Sequence, residues 1–428
     1  DLDNDGDLDV FVGNHGPDAL YLNDGHGHFE NVTSRAGIAG NDWSTSVAML
    51  DYDLDGWLDI FVVHYLVEDP ERNCIVAGRT DYCGPAVFPG RADRLWRNLG
   101  DGRFEDVSES TGIARIVAHG LGVVIEDFNG DGWPDLYVAN DQDANQLWMN
   151  TKKGGFRDDA LVFGAAFNGM GAVEASMGVT AGDVDGDGYI DLFMTHFAGQ
   201  TNTLYRGSAD GVFGDDSSSS GLGTPSLAYT GFGTQFGDLD NDGDLDLAVV
   251  NGRVVRAEKP IEADDEFVSN YAEPAQLFEN VRGKFFDLGG KAGEFASQPG
   301  VGRSLALVDV DGDGGLDVFV TRCRGPLRFY RNVHPARGHW LCVRAFDPAL
   351  NRDAYGALIT LVTASGQQAR RVSPAVSYQT SGTIDLHFGM GEATEYSALL
   401  VQWPGGATER FPGGPADRTV LLRRGEGR

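Results

Sequence analysis

Positive charge is scarce in this chain. Only 33 Lys and Arg stand against 64 Asp and Glu in 428 residues, a formal net charge of −31. No cluster of Lys or Arg breaks the acidic background, so a nucleic acid would be repelled and no nucleic-acid partner is expected. No stretch approaches the roughly 18 consecutive apolar residues of a membrane helix, so no transmembrane segment is expected in the chain. No charged-then-apolar leader opens it either. Asp1 already lies inside a repeat motif, and the expectation is that the start of the first repeat lies upstream of it. Cysteine is rare too, at four residues, which excludes a disulfide-dense scaffold. Cys74 and Cys83 sit in a Pro/Gly-rich insertion with little else to hold it and are a candidate disulfide, which fits an oxidising compartment. Two free thiols are the alternative. G-x-S-x-G, H-E-x-x-H, P-loop and Rossmann glycine patterns are all missing, so no catalytic residue can be named.

What the chain does have is a repeat. A nonapeptide of the form D-x-[DN]-x-D-G-x-x-D begins at Asp1, Asp51, Asp127, Asp183, Asp238 and Asp309. Carboxylates at positions 1, 3 and 5 converge on one side of a tight turn, Gly at position 6 supplies left-handed backbone, and Asp at position 9 closes the shell. An all-oxygen site suits the hard Ca²⁺ ion, whereas Zn²⁺ would want His or Cys. About six Ca²⁺ sites are therefore expected. Their ligands are Asp1, Asp3, Asp5 and Asp9; Asp51, Asp53, Asp55 and Asp59; Asp127, Asn129, Asp131 and Asp135; Asp183, Asp185, Asp187 and Asp191; Asp238, Asp240, Asp242 and Asp246; and Asp309, Asp311, Asp313 and Asp317. Asn129 leaves its loop one charge short. An EF-hand is the rival reading, but its loop runs to a Glu at the twelfth position and is flanked by helices. Here VFVGN, IFVVH, LYVAN, LFMTH, LAVVN and VFVTR follow the loops and read as buried strands.

The strand ahead of each loop carries small residues at period two, among them Ser46, Gly122, Gly178, Gly233 and Ser304, which suggests strands crowding around an axis. A second marker follows in each unit: LYLN, LWRN, LWMN, LYRG, LFEN and FYRN. Four strands per unit of about 50 residues is the pattern of a β-propeller blade. The fold class expected is all-β, a propeller at 1–332 followed by a small β-sandwich at 333–428. Ser217–Ser220 reads as a flexible turn.

FENVTSRAGI from Phe29 and FEDVSESTGI from Phe104, together with the loops, resemble the FG-GAP or VCBS repeats of integrin α-type propellers. GHWLCVRAF, NRDAYGALITL, SYQTSGTIDLHFGMG and VQWPGG, between Gly338 and Gly406, resemble the ASPIC/UnbV module of the cartilage acidic protein family. The resemblance implies a calcium-binding propeller of about seven blades, six of them with visible loops, exported from the cytoplasm: secreted, periplasmic or at the cell surface.

Thirteen residues after each first Asp stands a polar side chain: Asn14, His64, Asn140, His196, Asn251 and Arg322. Equivalent propeller positions form a ring, so these six are a candidate binding ring at one mouth. The alternative is that each caps its own turn. Long insertions at 68–94 and 253–273 are further places for binding. The function expected is a recognition, adhesion or scaffold surface for a protein or glycan. The alternative is an enzyme acting on a polysaccharide or small molecule at the propeller mouth, with His119 and a nearby carboxylate as one conceivable acid–base pair.

Overall fold

Apolar, β-branched and aromatic runs flank every nonapeptide. In the computed structural model, which describes residues 1–76, 78–335 and 337–428, they pair as antiparallel strands. Sheet 2 holds Ser44–Leu50, Asp59–His64, Arg94–Asn98 and Phe104–Asp106 in that order. Sheets 3, 4 and 5 repeat the plan, starting from Gly120–Glu126, Val179–Gly182 and Gly231–Gly237. Sheet 1 comprises Val10–Val12, Ala19–Asn23 and Phe29–Asn31, and sheet 6 comprises Gly302–Val308, Asp317–Arg322 and Arg328–Tyr330. The ninth-position Asp opens the second strand. Register pairs Leu50 with Asp59, Glu126 with Asp135, Gly182 with Asp191, Gly237 with Asp246 and Val308 with Asp317.

The first strands of sheets 2 to 6 pack side by side in sequence, as blades do around an axis. The small residues make this approach possible. A side chain at Gly178 would strike the Phe232 carbonyl, one at Gly233 the backbone of Ser304 and Leu305, and one at Gly122 the Met177 carbonyl. Ser46 donates its hydroxyl to the Leu121 carbonyl of the next sheet.

Ser217–Ser220 forms one helical turn rather than a flexible one. Asp215 Oδ1 accepts the Ser217 N–H at 3.0 Å, and Gly221 at φ +97° ends the turn. Among the described residues no helix is long and apolar enough to cross a membrane.

Beyond Tyr330 come two more four-stranded sheets. His339–Asp347 pairs with Arg352–Asp353, with Leu386–Gly391 and, in parallel, with Arg418–Arg423. Leu358–Val362 lies between Gln367–Arg371 and Glu395–Gln402, and Thr408–Pro415 pairs with the latter. Alternate residues Leu341 and Val343 from one sheet share a core with Ile359, Leu361, Leu399 and Val401 of the other, which makes a β-sandwich. Leu2, Leu20, Ile60 and Trp96 of sheets 1 and 2 and the loops beside them belong to the same apolar cluster.

Candidate metal centres

Each first-position Asp folds its loop onto itself. Oδ2 of Asp51, Asp127, Asp183, Asp238 and Asp309 accepts the N–H of the sixth-position glycine at 2.8–3.0 Å. That glycine needs positive φ, +95° at Gly56 and +105° at Gly243, which disfavours any other residue. In the loops at Asp1, Asp51 and Asp238 the other oxygen, Oδ1, is buried with no hydrogen-bond partner among the described residues, as is Oδ1 of Asp3. In the loops at Asp127, Asp183 and Asp309 it accepts further backbone N–H groups, from Asp131, from Gly186 and Asp187, and from Gly312 and Asp313.

Five loops bring three carboxylates together, one oxygen of each within 4.8 Å of the others. The triads are Asp1, Asp3 and Asp5; Asp51, Asp53 and Asp59; Asp183, Asp185 and Asp191; Asp238, Asp240 and Asp246; and Asp309, Asp311 and Asp317. Positions 1, 3 and 9 thus converge in four loops, while Asp55, Asp187, Asp242 and Asp313 stand outside the triads. The loop at Asp127 forms no carboxylate triad among the described residues, because Asn129 contributes an amide; Asp131 there pairs with Lys152 at 3.1 Å. Burial, reinforced by neighbouring carboxylates, pushes Asp238 up to about 7 against the Arg370 guanidinium and the Gly243 N–H, and Asp246 up to about 8 against the Asn280 and Leu239 N–H donors. Burial also raises Asp51 to about 6, although Arg352 opposes it. Converging, dehydrated carboxylates with unused oxygens form a hard-oxygen donor set that a cation would complete.

The ninth-position Asp does a second job. Asp59 accepts the Tyr52 N–H at 3.0 Å with one oxygen and the Asn98 N–H at 2.8 Å with the other, tying the loop's start to the third strand. Asp135, Asp246 and Asp317 repeat this with Asn150, Asn280 and Asn332. These asparagines then reach the preceding loop. The Asn98 side chain donates to the Leu2 carbonyl at 2.7 Å, Asn150 to Tyr52 at 2.8 Å, Asn280 to Val184 at 2.8 Å and Asn332 to Leu239 at 2.7 Å. Sequence reasoning passed over them, although the final N of LWRN, LWMN, LFEN and FYRN was the signal. The residue before that position also matters: Arg97 pairs with Asp53 at 2.8 Å, Arg206 with Asp185 at 3.3 Å and Arg331 with Asp311 at 2.7 Å.

The six candidate ring residues turn into their own loops at the opposite end of the strands. The ring Nδ1 of His64 meets the Ala92 carbonyl at 2.8 Å and that of His196 the Thr201 carbonyl at 2.7 Å, while His196 Nε2 meets Ser176 Oγ at 3.1 Å. Asn140 donates to Ala144, Asn251 to Pro274 and Asn14 to Pro17, each through its amide, and Arg322 to Pro326. His64, Asn140, His196 and Asn251 are buried. His119 does meet a carboxylate, Asp143, at 2.7 Å, but its Nε2 lies 3.1 Å from the Phe88 carbonyl, so both ring nitrogens are engaged. Cys74 and Cys83 are joined by a disulfide. Next to it, Asp81 accepts the Tyr271 hydroxyl at 2.6 Å and the Arg256 N–H at 2.9 Å, so the two long insertions meet although they arise from sheets 2 and 5.

The sandwich sits on the loop end. Arg352 reaches Asp51 Oδ2 and the Gly56 carbonyl, both at 3.3 Å, and also donates to the Asp353 carbonyl at 3.3 Å. Arg371 meets Glu126 at 2.8 Å and Arg337 meets Asp313 at 2.9 Å. Residues 373–383, between two sandwich strands, enter the propeller axis. Ser377 donates its N–H to the Val179 carbonyl at 2.6 Å and its Oγ accepts the Thr234 N–H at 2.8 Å, while the Gln379 N–H reaches Ser46 Oγ at 3.1 Å. Tyr378 is buried against Leu121, Met177 and Phe232.

Antiparallel blades whose first turn is an acidic nonapeptide define a propeller of the acidic-loop repeat class. The FG-GAP-like repeat model matches residues 1–62, 78–138, 127–194 and 183–249, more than half of the chain, and the ASPIC and UnbV model matches 347–428. The chain belongs to the family of FG-GAP-repeat proteins carrying an ASPIC and UnbV domain. It is 25% identical over 426 residues to cartilage acidic protein 1 of Xenopus tropicalis, covering 88% of this chain and 54% of that protein. It is 24% identical over 426 residues to the Homo sapiens protein of the same name, covering 88% and 53%. The chain thus spans about half the length of the curated relatives it matches. Among solved structures, an Agrocybe aegerita lectin that recognises non-reducing terminal N-acetylglucosamine aligns with TM-score 0.41 and 17% identity over 77% of this chain and 78% of the lectin. A Bacillus licheniformis rhamnogalacturonan lyase aligns with TM-score 0.35 and 13% identity over 99% of this chain and 71% of the lyase.

Proposed function

We propose that this chain is a calcium-loaded, exported propeller that presents a recognition or scaffold surface to a protein or glycan. The observation that carries the calcium reading is the buried, unpartnered Oδ1 of Asp1, Asp51 and Asp238 inside converging carboxylate triads. Bound Ca²⁺ would supply the missing charge and coordinate those oxygens; the protein's part is to hold them within reach. Extracellular modules bind Ca²⁺ at roughly 10⁻⁴ to 10⁻³ M, so such sites fill outside a cell. The Cys74–Cys83 bond supports the same location. We divide the chain into a propeller at 1–332 and a sandwich at 333–428, since His339–Asp347 pairs with the later strands of the sandwich. A scaffold role is favoured over chemistry at the mouth because the chain's own residues 373–383 fill the axis and both nitrogens of His119 are in use.

Titrating chelator-treated protein with Ca²⁺ in a calorimeter is expected to give several binding events, with a rise in Tm at saturation. Identical melting curves in chelator and in Ca²⁺ would sink the calcium reading. Glycan and peptide arrays probed with Ca²⁺ present then define the partner.

A further inference from the structure

We propose that residues 373–383 are a cation-dependent plug, seated in the propeller axis while the loop at Asp238 is loaded and released when it empties. The proposal rests on the calcium reading of the loops.

The stems of the plug stand on two loops, at Asp127 and at Asp238. On the entering side, Arg371 Nε pairs with Glu126 at 2.8 Å, and its Nη2 lies 3.7 Å from Asp127 Oδ2. On the leaving side, His387 Nε2 meets Asn241 Oδ1 at 2.8 Å, and the Gly391 N–H donates to the Asn241 carbonyl at 2.7 Å. Gly389 lies directly against the Asp238 carboxylate, where a Cβ would collide. Asp238 Oδ1 is also buried with no hydrogen-bond partner among the described residues. Without a cation, the carboxylates of Asp238, Asp240 and Asp246 repel one another at close range, and the loop loses the shape that presents Asn241 to the stem.

The plug closes on itself through the Ala375–Ser381 bridge and the Gly382 N–H bond to the Pro374 carbonyl at 2.7 Å, but its tip depends on its surroundings. Ser377 and Gln379 hold left-handed backbone, at φ +70° and +52°, a conformation that non-glycine residues keep only under outside constraint. The constraint is the axis: the hydrogen bonds to Val179, Thr234 and Ser46, and the packing of Tyr378 on Phe232. Stems that loosen by an ångström or two pull those contacts apart. Coupling is reciprocal, so a weakened plug must also weaken the cation sites.

Hydrogen exchange with and without chelator tests this on the intact chain. Expected on chelation is faster exchange of the Ser377 and Gln379 amides, about 5- to 150-fold, the usual span of such coupling, while strand Asp135–Asn140 keeps its protection. In a second measurement, Tyr378→Ala lowers Ca²⁺ affinity in calorimetry by a factor in the same range, although Tyr378 lies among strand residues and away from the carboxylates. If Ca²⁺ binds with measurable heat and the 373–383 amides do not change, the plug is uncoupled and the proposal is wrong while the calcium reading stands. Absence of any binding heat overturns both. Uniform loss of protection across all strands overturns the plug alone, because it is then not separable from the propeller. If Tyr378→Ala does not fold, the wild-type exchange decides.

Discussion

Asn280 is the residue on which two sheets meet. It is fully buried, its amide donates to the Val184 carbonyl of the preceding loop and to Leu245 at 2.9 Å, and its oxygen accepts the Gly283 N–H at 2.8 Å. Asn280→Ala strands those three groups away from water. The expected loss is about 2–4 kcal/mol, given roughly 1–3 kcal/mol for each unsatisfied buried group and partial relaxation. Urea unfolding checks it, and a loss below about 0.5 kcal/mol would show that the staple is redundant. Sheet 4 is the natural contrast, because Gly207 stands at this position and Arg206 instead donates to the Gly283 carbonyl at 2.7 Å.

Among elements, the insertion at 68–94 is held at its foot by Asp93, whose Oδ1 accepts the His64 N–H at 2.9 Å. Burial pushes this carboxyl up to about 7, against that one hydrogen bond. In the unfolded chain Asp93 ionises near 3.9. Between those values the folded state keeps a proton that the unfolded state has lost, so stability from this group falls as pH rises from about 4 to 7 and is level above. Asp93→Asn retains the acceptor and removes the proton. In saturating Ca²⁺ the variant is expected to show a flatter stability profile between pH 4.5 and 7 than the parent; parallel profiles would place the slope elsewhere. The hairpin loops were the most legible elements, because their acids lie within nine residues of one another; spacing located the clusters, although position 9 rather than position 5 completes four of them. The six polar positions after the second strands were legible as a register but not as side-chain directions. Those depend on carbonyls such as Ala92 and Pro274, presented by loops whose path the spacing does not reveal.

For the whole molecule, propeller and sandwich were each readable from strand patterning, but their union was not. Val179 and Ser377 touch across nearly two hundred residues, and nothing local to SYQTSGT says that it enters an axis. The positions of Ser46 and Gly122 came closest to signalling it, since they left room for a backbone from outside the ring of strands. The same union predicts how the chain melts. Leu2, Leu20, Ile60 and Trp96 share one apolar cluster with Leu341, Ile359 and Trp403, and Arg352 is buried beside Asp51. Calorimetry in saturating Ca²⁺ is expected to give a single transition with equal calorimetric and van't Hoff enthalpies; two resolved peaks would contradict a common core.

That common core also limits how the protein can be cut. A product ending at residue 332 would leave the apolar flank of its first two sheets facing water, and the sandwich alone would carry Arg352 and Arg371 without the acids that now neutralise them. Each half is expected to be recovered as aggregate when made by itself, and to become soluble when the two are produced together and allowed to associate.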